Sequence, residues 1–121
     1  MLKSDFFAAY RKAAKVLPVD LPGGRRVHVR ELSAKDKSQL EYDFYVKKDG
    51  ALLSIRERLV VLCACDEHGE RMFDDADVKA VAELPASVLD PIVEAARKLN
   101  GFDLASPEDA RKNSASGPTS A

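Results

Sequence analysis

The stretch Ile55–Leu104, IRERLVVLCACDEHGERMFDDADVKAVAELPASVLDPIVEAARKLNGFDL, decides the fold. Ile55, Leu59 and Leu62 follow Leu52 at spacings of 3, 4 and 3, the start of an amphipathic helix. From Leu59 to Cys65, seven residues run without a polar side chain. A helix that turns apolar all round is covered on every side, so this segment is the expected middle of the core. An Asp66-Glu67-His68-Gly69 turn follows, and Met72 and Phe73 are expected to return apolar mass to the core. Asp74 and Asp77 stand as cap and third position of a further helix with inward face Val78, Val81 and Ala82. Asp90-Pro91 reads as a cap plus first-position proline, opening a helix over 91–100 with face Ile92, Val93, Ala96 and Leu99. Pro85–Leu89 is either a helical turn of its own or the front of one kinked helix. Asn100-Gly101 closes it, with Gly101 left-handed and Phe102 folding back.

Working outward toward the N-terminus, Ser33-Ala34-Lys35-Asp36 is a capping-box-like helix start. The helix it opens carries Leu40 and Phe44 on one face and is expected to stop near Gly50, past Lys47 and Lys48; Tyr42 and Tyr45 fall off that stripe. Before it the period is two. Leu17, Val19 and Leu21 alternate with Pro18 and Asp20, Pro22-Gly23 supplies type II turn chemistry, and Arg26–Arg30 alternates again. The pattern predicts a β-hairpin, 16–21 with 26–31. A lone hairpin is unstable in water, so its Leu/Val face is expected to cover the helices. Residues 4–15 offer Ser4 or Asp5 as a cap and Phe6, Phe7, Tyr10 and Ala14 as one apolar face. So short a helix is marginal alone and has to dock, on this domain or on another chain. Beyond Leu104 the chain reads ASPEDARKNSASGPTSA, with no side chain to anchor it, so a disordered tail is expected over 105–121. The fold class expected is mainly α (α+β): one helical domain over 1–104, with a hairpin at about 16–31 packed on the helices.

A chain of 121 residues suits one domain. Nineteen basic against 20 acidic residues leave a formal net charge of -1, so no field draws it to nucleic acid or an anionic membrane surface. There is no 18-residue apolar span to cross a membrane and no continuous apolar core to make a signal peptide. Cys63 and Cys65, two apart inside an apolar run, argue for a reducing compartment and against a disulfide scaffold. The expectation is a soluble, intracellular protein.

Candidate chemistry is sparse. Cys63, Cys65, Asp66 and His68 suggest a metal cluster, but two residues on a helix turn through about 200°, which sends the thiols to opposite sides. The second ligand pair of a structural zinc motif is missing too, so core cysteines are the better reading. His28 and His68 are read as surface residues, with no sign that either shares a cleft with a cysteine. Asp74, Asp75 and Asp77 lack the ligand alternation of a calcium loop, and capping explains them better. Arg25, Arg26, His28 and Arg30 form a basic stripe, read as a solvated hairpin face. No catalytic residue, cofactor site or metal site is expected, and the reading is non-enzymatic.

Taken in order, the hairpin strand RRVHVRELSA, a helix, RERLVVLCACDEHGERMFDDADVKAV, then VEAARKLNGF and a small-polar tail resemble the tail assembly chaperones of long-tailed bacteriophages. The likeness covers roughly residues 16–104; Pro91 inside the last helical segment and the Phe-rich N-terminal helix depart from it. The resemblance implies a non-enzymatic protein of the host bacterial cytoplasm, absent from the mature virion. It would bind the tape measure protein, keep it soluble while the tail tube forms, and then leave. It also implies, through a longer frameshifted product, contact with the tail tube protein. Arg111-Lys112-Asn113 permits the codons AGA AAA AAC, which contain a slippery heptamer. The expected contact residues are Phe6, Phe7 and Tyr10 together with the Phe44/Tyr45 region; the alternative is that all five pack inside the domain, the better reading for Phe44, and self-association would use the same surface. The rival reading is a small regulatory or adaptor domain that binds a host protein or nucleic acid through the Arg-rich hairpin.

Overall fold

In the computed structural model, which describes residues 1–11, 14–47 and 55–102, the period-two segment forms β1 (Val16–Leu21) and β2 (Arg25–Arg30). They pair antiparallel, with Val19 opposite Val27 and Leu21 opposite Arg25. The return strand starts one residue earlier than the pattern predicts because Gly23 and Gly24 both take positive φ, 84° and 74°, so three residues close the loop. β1 is one edge of the sheet, where Pro18 can do without a ladder donor. Val19, Val27 and Val29 enter the core.

The helix expected from Ile55 onward is α3 (Ile55–Cys63), and Leu59, Val60, Val61 and Cys63 are fully enclosed, as a helix apolar on all sides requires. The apolar run does not stay helical to its end. Ala64 and Cys65 form β3, a third strand antiparallel to β2, with Val29 opposite Ala64 and His28 opposite Cys65. Two arginine side chains take over the carbonyls left open where the helix stops. Arg30 Nε donates to Leu62 O at 2.9 Å, and an Arg71 guanidinium nitrogen donates to Val61 O at 3.0 Å. The cysteines therefore do not sit on opposite sides of one helix as expected; one ends α3, the other lies in the sheet, and both are buried free thiols. Asp66–Gly69 then turns the chain, with Gly69 at φ 85°, and Cys65 bridges Arg71.

Asp74 and Asp77 form the expected reciprocal cap: Asp74 Oδ1 accepts from the Ala76 N–H and Asp77 Oδ2 from the Asp74 N–H, each at 2.9 Å. They open a 3-10 turn (Asp75–Asp77) that runs into α4 (Val78–Ala82). Of its expected inward face, Val81 is buried and Val78 half-buried, but Ala82 is exposed, and so is Met72 in the preceding loop. So short a helix turns only one ridge toward α3.

α5 (Ala86–Asn100) is one continuous helix that packs across α3 and both hairpin strands. Pro85 occupies the N-cap position, so Asp90-Pro91 is not a helix start as predicted; Pro91 lies inside the helix and Asp90 pairs with Arg56 of α3. The N–H that Pro91 lacks would have met the carbonyl of Ser87, an exposed residue in the first turn of the helix. Ile92, Val93 and Ala96 are buried and Leu99 half-buried, as their spacing predicts. Gly101 ends the helix at φ 71°, the Phe102 N–H returns to Arg97 O at 3.0 Å, and Phe102 is buried.

α2 (Ala34–Tyr42) starts where Ser33 Oγ accepts the Asp36 N–H at 3.1 Å and runs into a π-helical turn, Asp43–Lys47. Leu40 and Phe44 are buried as expected, and Tyr42 and Tyr45 are exposed. The helix end near Gly50, Leu52, and the tail over 105–121 lie outside the described residues.

Candidate functional site

The N-terminal helix α1 (Lys3–Tyr10) contains no buried residue. It begins earlier and ends sooner than the sequence predicts. Ser4 and Asp5 lie inside its first turn, Leu2 holds the cap position, and Ala14 falls beyond its end. Leu2 has no side-chain acceptor, so the start is held by the Asp5 carboxylate, which accepts the Leu2 N–H at 3.3 Å. Phe6 and Tyr10, one turn apart, meet with ring centroids 5.2 Å apart, and Phe7 stands edge-on to Phe6 at 5.9 Å. The Arg11 guanidinium lies 5.7 Å over the Phe7 ring. Even so, Phe6, Phe7 and Tyr10 expose 50, 48 and 58% of themselves. The three aromatics expected as contacts are thus gathered on one short, uncovered helix.

The other expected contacts divide. Phe44 is 4% exposed and belongs to the core, so it offers no surface to a partner; Tyr45 stands edge-on to it at 4.8 Å and stays on the outside. The buried position follows from Phe44 sharing the Leu40 stripe.

A second apolar feature lies at the hairpin tip. Leu21 and Val27 of the hairpin, Phe73 of the loop, Leu84 of the turn after α4 and Val88 of α5 line a groove of about 450 Å³, with Arg25 and Arg26 on its rim. That is within the size range of sites that enclose a drug-sized ligand, ample for aromatic side chains. Leu84 and Met72 at its mouth are 44 and 59% exposed. The sequence does not show this feature, because Met72 reads as a core residue and Leu84 carries no assigned role.

The basic stripe does not stand free. Arg26 pairs across the hairpin with Asp20 at 2.9 Å, and Arg30 is committed to the end of α3. His28 is half-buried between strands. The groups that resembled a metal cluster are likewise separated by role. Burial pushes the Cys63 thiol up to about 12. Burial also raises Cys65. The backbone N–H groups of Glu70 and His68 hold the Asp66 carboxyl below its usual value, as turn closure demands.

Two buried polar residues escaped the sequence reading. Asn100 Oδ1 accepts the Leu32 N–H at 2.7 Å, while Nδ2 donates to Ala96 O at 3.0 Å and reaches Arg30 O at 3.4 Å and Cys63 Sγ at 3.6 Å. Asp43, carried inward by the π-helical turn, pairs with Arg58 of α3 and accepts from Gln39 Nε2 at 3.1 Å. In both cases the geometry ties elements together. Among the described residues no helix is long and apolar enough to cross a membrane.

Comparison of the chain with protein-family models, with curated proteins and with solved structures finds no match.

Proposed function

We propose that this protein is a non-catalytic tail assembly chaperone of a long-tailed bacteriophage or prophage, which binds the tape measure protein and keeps it soluble while the tail tube assembles. The observation that carries the reading is α1, a helix with three half-exposed aromatic side chains and no buried residue. A long helical client exposes apolar stripes that aggregate unless another apolar surface covers them, and an uncovered aromatic helix is such a surface. Tyr45 and Tyr42 add exposed aromatic area on the α2 side. The buried polar groups serve the fold, which agrees with a binding role. In this reading the chain acts in the host cytoplasm and leaves before the virion matures, and a longer frameshifted product recruits the tail tube protein.

The test is co-expression with the reading frame that lies downstream in the phage genome. The client is expected to stay soluble and to co-purify in high salt, since apolar contacts are not screened. Phe6→Ser with Tyr10→Ser is expected to return it to the pellet. A client that remains insoluble, or a complex that dissolves as salt rises, would remove this reading. The second outcome would favour binding through the hairpin, whose basic stripe is already half committed to Asp20 and Leu62.

A further inference from the structure

We infer that two copies of this chain exchange their N-terminal helices, each α1 seating Phe6, Phe7 and Tyr10, which share one face of the helix, in the groove at the hairpin tip of the other. One chain holds both halves of the contact: among the described residues, a short helix with no buried side chain and an apolar groove of about 450 Å³. An eight-residue helix is well below the length that persists alone, and docking is what retains it.

Geometry favours the groove of a second copy. α1 enters the sheet at Val16, whereas the groove lies by Leu21 and Arg25 at the other end of β1, so the helix leaves the hairpin away from its own groove. Charge agrees. Asp5 sits beside Phe6 on the helix, and Arg25 stands on the groove rim with no carboxylate partner among the described residues. Asp5 spends one oxygen on the Leu2 N–H, and its other oxygen remains to meet a guanidinium.

Area decides between one arm and two. Covering a whole aromatic side chain removes about 150–250 Å² from water, so three half-exposed ones contribute roughly 300 Å². With the matching groove wall, one engagement buries roughly 600 Å², below the ~1,000 Å² that a specific interface needs. A reciprocal exchange about a two-fold axis doubles this to roughly 1,200 Å², the lower edge of the stable class. An interface at that lower edge fits a reversible dimer.

The experiment is sedimentation equilibrium on the full chain over a wide concentration range. Wild type is expected to pass from monomer to dimer. Phe6→Ser with Tyr10→Ser removes the arm; Leu84→Glu with Met72→Glu blocks the groove at residues exposed enough to leave the fold intact, which far-UV circular dichroism verifies. Each pair is expected to weaken the dimer by about thirtyfold or more. An equimolar mixture of the two variants retains one good arm and one good groove, so it should associate more tightly than either variant alone and less tightly than wild type. A wild type that stays monomeric throughout would overturn the inference. So would a dimer that the arm variant breaks and the groove variant does not, which would mean arm against arm. A mixture no tighter than its components would overturn it as well. The result is separate from client capture: a dimer that fails to solubilise the client sinks only the chaperone reading, and a monomer that captures it sinks only this one.

Discussion

Asn100 satisfies, from one buried side chain, a backbone N–H at the β2–α2 junction and carbonyls on α5 and β2. Leucine has a similar volume and no polar atoms, so Asn100→Leu strands the buried Leu32 N–H. The expected cost is about 2 kcal/mol, read as a lower urea midpoint at unchanged slope. Cys63 makes the protein sensitive at the alkaline end. Burial raises its thiol from the ordinary 9.0 to about 12, so the folded chain holds that proton where the unfolded chain has lost it. The stabilisation is complete below pH 9.0 and drains away as the pH climbs toward about 12. Urea melts at pH 8 and pH 10 should show wild type losing more stability over that interval than Cys63→Ala. The burial of Cys63 was legible in the sequence as a core cysteine, whereas the second role of Asn100 was not. Asn100 read as part of a helix stop, and only packing against Leu32 and Cys63 gives it a second task.

At the scale of elements, what could be read and what could not follow from which forces are local. Turn and cap chemistry is written within a few residues, so the hairpin, the Ser33 start, the Asp74/Asp77 box and the Gly101 stop were all legible. Gly101→Ala puts a side chain at φ 71°, where, among the described residues, the added carbon meets only Lys37 Nζ at an ordinary 3.6 Å. The cost is therefore backbone strain alone, about 1–2 kcal/mol, visible as a lower melting temperature. β3 and the front of α5 were not legible. An unbroken apolar run looks the same whether it is buried as helix or as strand, and Ala64-Cys65 became a strand only because β2 had an open edge beside it. Asp90-Pro91 has the local chemistry of a helix start, and it was overridden by Leu89 and Ile92 packing on either side. The aromatic helix was legible as sticky. Its separation from the core, and the groove at the hairpin tip, arise from contacts distant in sequence.

Across the whole molecule, stability and stickiness reside in different parts. The core is built from the hairpin, α2, α3, α4 and α5, and α1 contributes nothing buried to it. Removing residues 1–11 should therefore shift the melting temperature by well under the ~4 °C that 1 kcal/mol produces in a domain of this size. The measurement belongs at a concentration where wild type is monomeric, because association stabilises by mass action. The same truncation is expected to abolish both dimerisation and client capture.

Pro18 in the edge strand bears on how such a molecule avoids trapping itself. Strand ladders between copies propagate: each added chain presents a fresh template, and the product grows without limit and seldom comes apart. A proline interrupts that ladder by withholding one donor. Replacing it with valine restores the donor and adds a strong strand former, so Pro18→Val should turn a clear concentrated solution into one that gains thioflavin fluorescence over time. With that route blocked, copies meet through side chains alone. Contacts of that kind close on themselves and can be surrendered to a competitor, as the proposed chaperone role would require.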